Sequence, residues 1–130
     1  MLEVVTTAAR SGSVVFTAAI SKARCPLAVN GNAAIHVYRI LQEALNNVTR
    51  HSEAKDAWVR LRLQPESLEL EVEDHGVGFV TQTAKPGIGL VAMRERAELL
   101  GGTIEFKQPA GGGTLVRLNV PREKLDSHAE

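Results

Sequence analysis

Apolar residues recur with two different periods along this chain, and the two periods predict its strands and helices. Side chains alternate over 57–63, 68–73 and 114–120, which predicts half-buried strands, and 103–107 is a further strand segment. A period of three to four residues predicts a long helix from Asn32, its expected N-cap, to about His51, and 90–100 is also amphipathic. The pattern therefore predicts two helices and two strand hairpins.

The two ends of the chain follow these periods less clearly. Leu2–Arg10 is predicted to be a short helix or a frayed start, and Ser13–Ile20 is predicted to be a strand because it is rich in β-branched residues. Ser21–Gly31 is expected to be a connection, and Arg122–Glu130 is polar and expected to fray. We therefore expect one domain with an N-terminal helix or strand at 1–31, a core at 32–121 and a tail at 122–130.

Composition limits the environment and the partners of the chain. A length of 130 residues suits one domain with a real core. Acids and bases number 15 each, so the formal charge is zero, which argues against a general nucleic-acid or anionic-membrane surface. The single cysteine, Cys25, cannot form an intramolecular disulfide, which indicates a reducing compartment. No apolar run approaches the roughly 20 residues that span a bilayer, and no signal peptide follows Met1. We expect a soluble, cytoplasmic domain that makes no membrane contact, although its parent protein could be anchored in a membrane.

Two glycine-rich turns carry the first chemical signal. Asp74-His75-Gly76-Val77-Gly78 follows a predicted strand, and Gly87-Ile88-Gly89-Leu90 opens the second predicted helix. One glycine pair alone most often only makes a turn. Here a carboxylate precedes the first turn and a helix N-terminus follows the second. That combination predicts a nucleotide site, with the carboxylate reading a base and the helix N-terminus holding phosphates.

The long helix adds a polar face to this signal. His36, Glu43, Asn47 and Arg50 are separated by seven, four and three positions, so they share one face. A solvated helix face is the alternative interpretation. The adjacent pair Asn46-Asn47 argues against it, because asparagine is a mediocre helix former with no capping role at that position.

Together these blocks resemble a known family over residues 37–121. They are similar to the ATP-binding catalytic domain of two-component sensor histidine kinases, which belongs with the gyrase-type ATPases. The segments LQEALNNVTRHS and GIGLVAMRERAELLGG look most like the nitrate-sensor class. The resemblance implies an α+β fold, a two-layer α/β sandwich with helices on one face of a mixed sheet. It also implies ATP and Mg²⁺ as cofactors.

The resemblance implies roles for the residues of the long helix. Asn47 would coordinate the magnesium ion that bridges the phosphates, since Mg²⁺ takes hard oxygen ligands and keeps several waters. Glu43, one turn earlier, would accept or orient the proton of the attacking imidazole. Arg50 and His51 match basic positions that approach the phosphates, with the solvated face remaining the alternative for both.

The glycine blocks receive nucleotide-binding roles in the same way. Asp74 would accept a hydrogen bond from the adenine amino group, where guanine presents a carbonyl. The resemblance implies that the backbone at Gly76 and Gly78 approaches the nucleotide and that Thr114 lies near the adenine. The amides of the second turn would face the phosphates, and they belong to Gly87, Ile88, Gly89 and Leu90. The loop Val80–Pro86 would be a lid over the triphosphate. It lacks a separate phenylalanine-rich box, because Phe79 is the only phenylalanine between the glycine turns.

The resemblance also implies a partner domain. A complete kinase carries its phosphoacceptor histidine on a helical dimerisation domain, and the first histidine here is His36, inside the nucleotide-binding helix. We therefore expect transfer of the γ-phosphoryl to a histidine on a separate domain, with a response regulator downstream and no autophosphorylation by this chain alone. One alternative is an anti-sigma-factor-type serine kinase. Another is a non-catalytic nucleotide-binding module, which would not need Glu43.

Overall fold

The computed structural model describes the backbone of residues 2–11, 14–23, 30–51, 55–76, 88–109 and 112–125. Side chains are described over 14–21, 30–49, 55–76, 89–109 and 112–125. Six strands and three helices lie in these ranges. In chain order they are β1 (Leu2–Ser11), β2 (Val14–Ala23), α1 (Gly31–His51), β3 (Asp56–Leu63), β4 (Ser67–Asp74), α2 (Ile88–Leu99), β5 (Thr103–Lys107), β6 (Thr114–Pro121) and α3 (Arg122–Leu125).

The strands form one sheet in the order β1-β2-β3-β4-β6-β5. β2 and β3 are parallel neighbours joined through α1, and the other four pairings are antiparallel. The sheet is therefore mixed. Both predicted hairpins, β3–β4 and β5–β6, are present. The two hairpins lie side by side in the sheet, because β4 pairs with β6. In the sequence, α2 lies between them.

The period of two along the strands gives the sheet two different faces. One face is apolar and packs against α1 and α2, with Ile40 of α1 and Leu118 of β6 both fully buried. This face contributes to one continuous core, whose buried strand members are Val14, Phe16, Ala57, Val59, Leu68, Leu70, Val72, Val116, Leu118 and Val120. The predicted fold class, a two-layer sandwich with helices on one face of a mixed sheet, is thus confirmed.

The first strand corrects one prediction. Leu2–Arg10 was expected to be a helix or a frayed start, but residues 2–11 form β1, paired antiparallel with β2 from Leu2↔Ala23 to Ser11↔Val14. The physical reason is the pairing partner. The run Val4–Thr7 is β-branched and suits a strand, and β2 supplies a complete ladder of ten partners that local propensity does not reveal. The predicted strand Ser13–Ile20 is present and extends to Ala23.

The N-cap of the long helix is Asn30, and the expectation of Asn32 is wrong. The Asn30 side-chain oxygen accepts from the Ala33 amide at 2.8 Å, and its carbonyl accepts from the Ala34 amide at 3.0 Å. The Asn30 amide group also donates to the Leu125 carbonyl at 3.3 Å. Two asparagines stand two residues apart in the sequence, and the contact with α3 decides which of them caps the helix.

The beginning of the predicted tail belongs to the folded domain. Residues 122–125 form α3, and the Leu125 side chain is fully buried. The Arg122 amide donates to the Glu66 carbonyl at 2.8 Å, and the Asn30 amide donates to the Leu125 carbonyl at 2.8 Å. The expectation that residues 122–125 fray is therefore wrong, because one apolar side chain and two backbone bonds fix them. Residues 126–130 lie outside the described part of the chain.

The second helix ends where its glycines predicted. The Gly102 amide donates to the Ala97 carbonyl at 3.0 Å, and the Gly101 amide donates to the Glu98 carbonyl at 2.9 Å. Gly101 has φ of 69°, the left-handed conformation that this type of helix end requires. Among the helices of the described ranges, none combines the length and the apolar character that crossing a membrane demands.

The other face of the sheet carries rows of opposite charge, and we call it the charged face. It is formed by Arg60 and Arg62 on β3, Glu69 and Glu71 on β4, and Arg117 on β6. Glu71 is 5% exposed and lies in the middle. Its Oε1 accepts from Arg60 Nε and from Arg62 Nη1, each at 3.1 Å, and its Oε2 lies 2.7 Å from Arg117 Nη2. Burial alone would raise the pKa of Glu71, but the hydrogen bonds from Arg117 and Arg60 and the nearby arginine charges outweigh it and lower the pKa from 4.5 to about 2.

We predict that Glu71→Gln lowers the free energy of unfolding by about 1–3 kcal/mol at pH 7, because three arginines lose a shared carboxylate. The folded-state pKa of Glu71 is depressed, so its contribution is fully present above pH 4.5 and is lost as pH falls towards about 2. Urea unfolding of both proteins at a series of pH values measures this. The stability difference should shrink as the solution is acidified through that window. Glu105→Gln, at a half-exposed carboxylate on the same face, is the control, and an equal loss there would contradict the special role of Glu71.

Candidate functional site

The Asp74 carboxylate is the most constrained acidic group near the glycine turns. Asp74 ends β4 on the face of the sheet that meets the helices, and it is 1% exposed. Its Oδ1 accepts from the Gly76 amide at 2.7 Å, and its Oδ2 accepts from the Thr114 hydroxyl. Thr114 is the register partner of Asp74 across β4 and β6. These two donors hold the carboxylate in one orientation. Because a carboxylate has about four acceptor positions, it can still accept a hydrogen bond from an amine of a ligand.

The backbone of β6 lies very close to the Asp74–His75 segment. A Cβ added at Gly113 would overlap the Asp74 carbonyl oxygen and would lie 2.8 Å from the His75 Cα. Gly113 also has φ of 87°, which side-chain-bearing residues rarely adopt. At Gly112, which has φ of 96°, the nearest atom to an added Cβ would be the Gly76 carbonyl oxygen at 3.9 Å. Gly113 is therefore required for close approach, while Gly112 is required only for its conformation.

The two long helices run antiparallel and bring Glu43 to the start of α2. Arg96 donates to His36 Nδ1 at 3.3 Å towards one end of the seam between the helices. At the other end, a Cβ added at Gly89 would lie 2.5 Å from Glu43 Oε2. The half-buried Glu43 carboxylate therefore lies against the first turn of α2 because Gly89 has no side chain. Asn47, one turn further along α1 on the same helix face as Glu43, is half-buried.

The first turn of α2 can hold an anion. Ile88, Gly89 and Leu90 open this helix, so their amides have no partners within the helix. No acidic residue stands in that turn. The half-buried Leu90 side chain packs against the core and anchors the turn. Backbone amides without partners inside the helix and the positive end of a helix dipole suit phosphate groups.

Some predicted site residues fall outside what the structure describes. Gly78, Gly87 and the predicted lid Val80–Pro86 lie outside the described residues. Arg50 and His51 belong to the last turn of α1, and Ile88 begins α2, but the side chains of these three are not among those described. The structure brings Asp74, Gly76 and Thr114 together at one point and Glu43 and Gly89 together at another. In the described ranges there is no cluster of three or more His, Cys, Asp or Glu side chains that could hold a metal ion.

Two features of this region were not found from the sequence. The direct bond between the Thr114 hydroxyl and Asp74 depends on the β4–β6 register, whereas Thr114 was expected only to lie near the adenine. The close approach of Gly113 to the Asp74 backbone does not follow from a run of glycines before a strand, since such a run equally suits a simple turn. The sequence signal for both features is GGGT at the start of a strand. A strand that begins beside a buried carboxylate needs a hydrogen-bond donor, here threonine, and small residues, here glycines.

Comparison with known proteins gives one matching family model. Residues 32–124 match the model described as histidine kinase-, DNA gyrase B-, and HSP90-like ATPase. Sensor histidine kinase LiaS of Bacillus subtilis (strain 168) is 42% identical over 87 residues, which are 66% of this chain and 24% of that protein. Nitrate/nitrite sensor protein NarQ of Escherichia coli (strain K12) is 38% identical over 95 residues, 72% of this chain and 17% of that protein. The chain thus spans about a quarter or less of the length of these curated relatives.

Solved structures show the same fold. The ATP binding domain of PrrB from Mycobacterium tuberculosis aligns with a TM-score of 0.59 at 20% identity and covers 78% of each chain. The blue-light activated histidine kinase EL346 of Erythrobacter litoralis aligns with a TM-score of 0.63 at 21% identity, over 85% of this chain and 36% of that one. At these identities the likeness concerns the fold.

We predict that Gly113→Ala is more damaging than Gly112→Ala. Both substitutions place an alanine at positive φ, which costs about 1 kcal/mol or more. Only the alanine at 113 also overlaps the Asp74 carbonyl oxygen, so its β-strand must move away from β4. Thermal and urea unfolding of the two variants measure the difference. Equal destabilisation would show that the close approach at Gly113 has no energetic consequence beyond its backbone angle.

Proposed function

Because the chain belongs to the histidine kinase-, DNA gyrase B-, and HSP90-like ATPase family, we propose that it is the ATP-binding catalytic domain of a sensor histidine kinase. In this proposal it binds ATP with Mg²⁺ and transfers the γ-phosphoryl group to a histidine of a separate helical domain. The observation that carries the proposal is the buried Asp74 carboxylate, fixed between Gly76 and Thr114 on the face of the sheet that meets the helices. The curated relatives named above are sensor kinases, which favours histidine over serine as the acceptor.

Adenine recognition is assigned to the end of β4. The Asp74 carboxylate accepts from the adenine amino group, and it would repel the carbonyl that guanine presents at that position. Its two internal hydrogen bonds keep it oriented before the nucleotide arrives, so little reorganisation accompanies binding. Gly76, and Gly78 by the sequence motif, allow the backbone to approach the base and sugar.

Phosphate binding is assigned to the start of α2 and the end of α1. The amides of Ile88, Gly89 and Leu90, with that of Gly87 by the motif, donate to phosphate oxygens. The Asn47 amide oxygen is a hard ligand of the kind Mg²⁺ takes, and Asn47 follows Glu43 by one helical turn on the same face of α1. When bound, the metal neutralises phosphate charge. Arg50 and His51 belong to the last turn of α1, and by the resemblance we assign them to the phosphates.

Glu43 is assigned to the proton of the acceptor. In the transfer, the acceptor imidazole nitrogen forms a bond to the γ-phosphorus while the bond to the ADP oxygen breaks. Glu43 accepts a hydrogen bond from the N–H of the other ring nitrogen, which fixes the tautomer whose attacking nitrogen carries the lone pair, and it takes that proton as the N–P bond forms. The packing of Glu43 against Gly89 holds the carboxylate next to the turn that binds the phosphates. The remaining catalytic effect comes from positioning and from neutralising charge.

The partners in this proposal follow from the reaction. The acceptor histidine lies on the dimerisation domain of the parent kinase, and a response regulator receives the phosphoryl group from that histidine. Location in the cytoplasm, where ATP is available, is part of the proposal for this domain. No contact with nucleic acid or membrane is required.

We predict that Asp74→Ala weakens ATP binding about tenfold or more, because a charge-assisted hydrogen bond is worth roughly 1.5–3 kcal/mol. Asp74→Asn should have a similar effect while keeping the shape of the side chain, since its amide group would face the adenine amino group or give up the Thr114 bond. Calorimetric titration with ATP, after thermal unfolding has shown that each variant is folded, measures this. Glu69→Gln on the charged face is the control. A folded Asp74 variant with wild-type affinity for ATP would reject the base-reading assignment.

We predict that Asn47→Ala removes most of the dependence of ATP binding on magnesium. The reason is that the variant lacks the one amide oxygen that we assign to the metal. Titrations of wild type and variant with ATP, with Mg²⁺ and with EDTA, give the ratio of affinities. Asn32→Ala, at an exposed site about four turns away on α1, is the control. The same ratio in Asn47→Ala and wild type would contradict a metal-binding role.

We predict that Glu43→Gln abolishes most phosphoryl transfer while leaving ATP affinity within about threefold, because general bases typically contribute about 10²–10⁴-fold to rate. The assay incubates the chain with radiolabelled ATP, alone and with the helical segment of the parent kinase supplied separately. Acid-labile label should appear on the helical segment only. Label on the isolated chain, or unchanged transfer by Glu43→Gln, would reject the acceptor assignment or the role of Glu43 respectively.

A further inference from the structure

His75 stands between Asp74 and Gly76, and its side chain is held on the charged face of the sheet. Its ring contacts the indole of Trp58, with centroids 4.7 Å apart and planes inclined by 44°. Its Nε2 lies 3.6 Å from Glu73 Oε2. Trp58 and Glu73 are register partners across β3 and β4. The three side chains therefore form one cluster directly behind the residue that we assign to adenine.

The backbone at Asp74 and His75 is confined from two sides. On one side, the backbone at Gly113, directly before β6, is so close that an added Cβ would lie 2.8 Å from the His75 Cα. On the other side, the strand β3 supplies Trp58 against the His75 ring. The peptide units after Asp74 carry the Gly76 amide, which donates to Asp74 Oδ1 at 2.7 Å. A change in the His75 conformation would move this amide and release the carboxylate from its orientation.

The contact of Trp58 with His75 does little for the core of the domain. The His75 side chain is 61% exposed, and the cluster lies on the face opposite to the buried apolar side chains. Losing the contact removes little apolar area from the interior, so its main consequence is local. The local effect is a change in the Asp74–Gly76 turn, whose Gly76 amide orients the Asp74 carboxylate.

We propose that Trp58 is a positioning residue for adenine recognition, acting through His75 on the Asp74–Gly76 turn. Trp58 itself does not touch the nucleotide. This inference rests on the proposed function, because it concerns the same base site. It extends that site to the opposite face of the sheet and to a residue that the nucleotide-binding motifs do not include.

The test compares ATP and GTP affinities, from calorimetric and displacement titrations, in a double-mutant cycle. Trp58→Ala should weaken ATP binding about threefold to tenfold and leave GTP affinity nearly unchanged, because only the adenine contact depends on the turn. Trp58→Phe keeps a ring against His75 and should restore most of the ATP affinity. His75→Ala, at an exposed position where folding is not at risk, should weaken ATP binding by a similar factor. The double variant should be no weaker than either single one.

The control is Thr17→Ala, which alters the register partner of Trp58 on the β2 side, away from His75, and should leave both affinities unchanged. Three results would each overturn the inference. The first is wild-type ATP affinity in folded Trp58→Ala and His75→Ala, and the second is additive effects in the double variant. The third is a parallel loss of ATP and GTP binding together with lower thermal stability. If wild type does not bind ATP, or if Asp74→Ala binds it normally, the proposed function fails instead.

Discussion

The pairing of Asp74 with Thr114 at the end of the β4–β6 ladder determines the geometry of the site. The same ladder pairs Val72 with Val116 and Leu70 with Leu118, and these four side chains are buried against the helices. A shift of one residue would turn the apolar set to the charged face, so burial fixes the register strongly. The threonine hydroxyl then meets the carboxylate as a consequence of core packing. The orientation of the proposed base-reading group is thus tied to the stability of the sheet.

Two glycines allow close approaches that a side chain would prevent. Gly113 brings β6 against the Asp74 carbonyl, and Gly89 brings the start of α2 against Glu43. The first contact closes the base end of the site, and the second places a carboxylate beside a helix N-terminus. A carboxylate is favourable there in the absence of phosphate, since it meets the positive end of the helix dipole. In the proposed function, ATP phosphates and Glu43 therefore share one electrostatic environment.

The charged face gives the domain stability that does not depend on apolar burial. Glu71 is nearly inaccessible to solvent, yet three arginines keep it ionised and hold its pKa at about 2. At the end of the same face, the rings of Trp58 and His75 replace ion pairs as the contact between β3 and the β4 turn. In the proposed function, the face opposite the helices is consequently a structural support for the base end of the site.

The sequence by itself determined the features that depend on residues close together along the chain. Alternation located the strands over 57–63, 68–73 and 114–120, helical periodicity located α1 and α2, and the glycine turns with Asp74 indicated a nucleotide-binding domain. These signals are local because strand and helix periods and turn conformations depend on residues within a few positions. The roles of Glu43, Asn47 and the other site residues stay predictions of the same kind.

The tertiary structure alone decided which distant residues meet. Leu2–Ser11 is a strand because β2 offers it a ladder, and Asn30 rather than Asn32 caps α1 because α3 returns to it. The Thr114–Asp74 bond spans 40 residues, and the Glu43–Gly89 and Trp58–His75 contacts join different elements. Secondary-structure propensities do not predict such contacts. They depend on the register of the sheet and on the antiparallel packing of two helices, and packing of the whole core determines both.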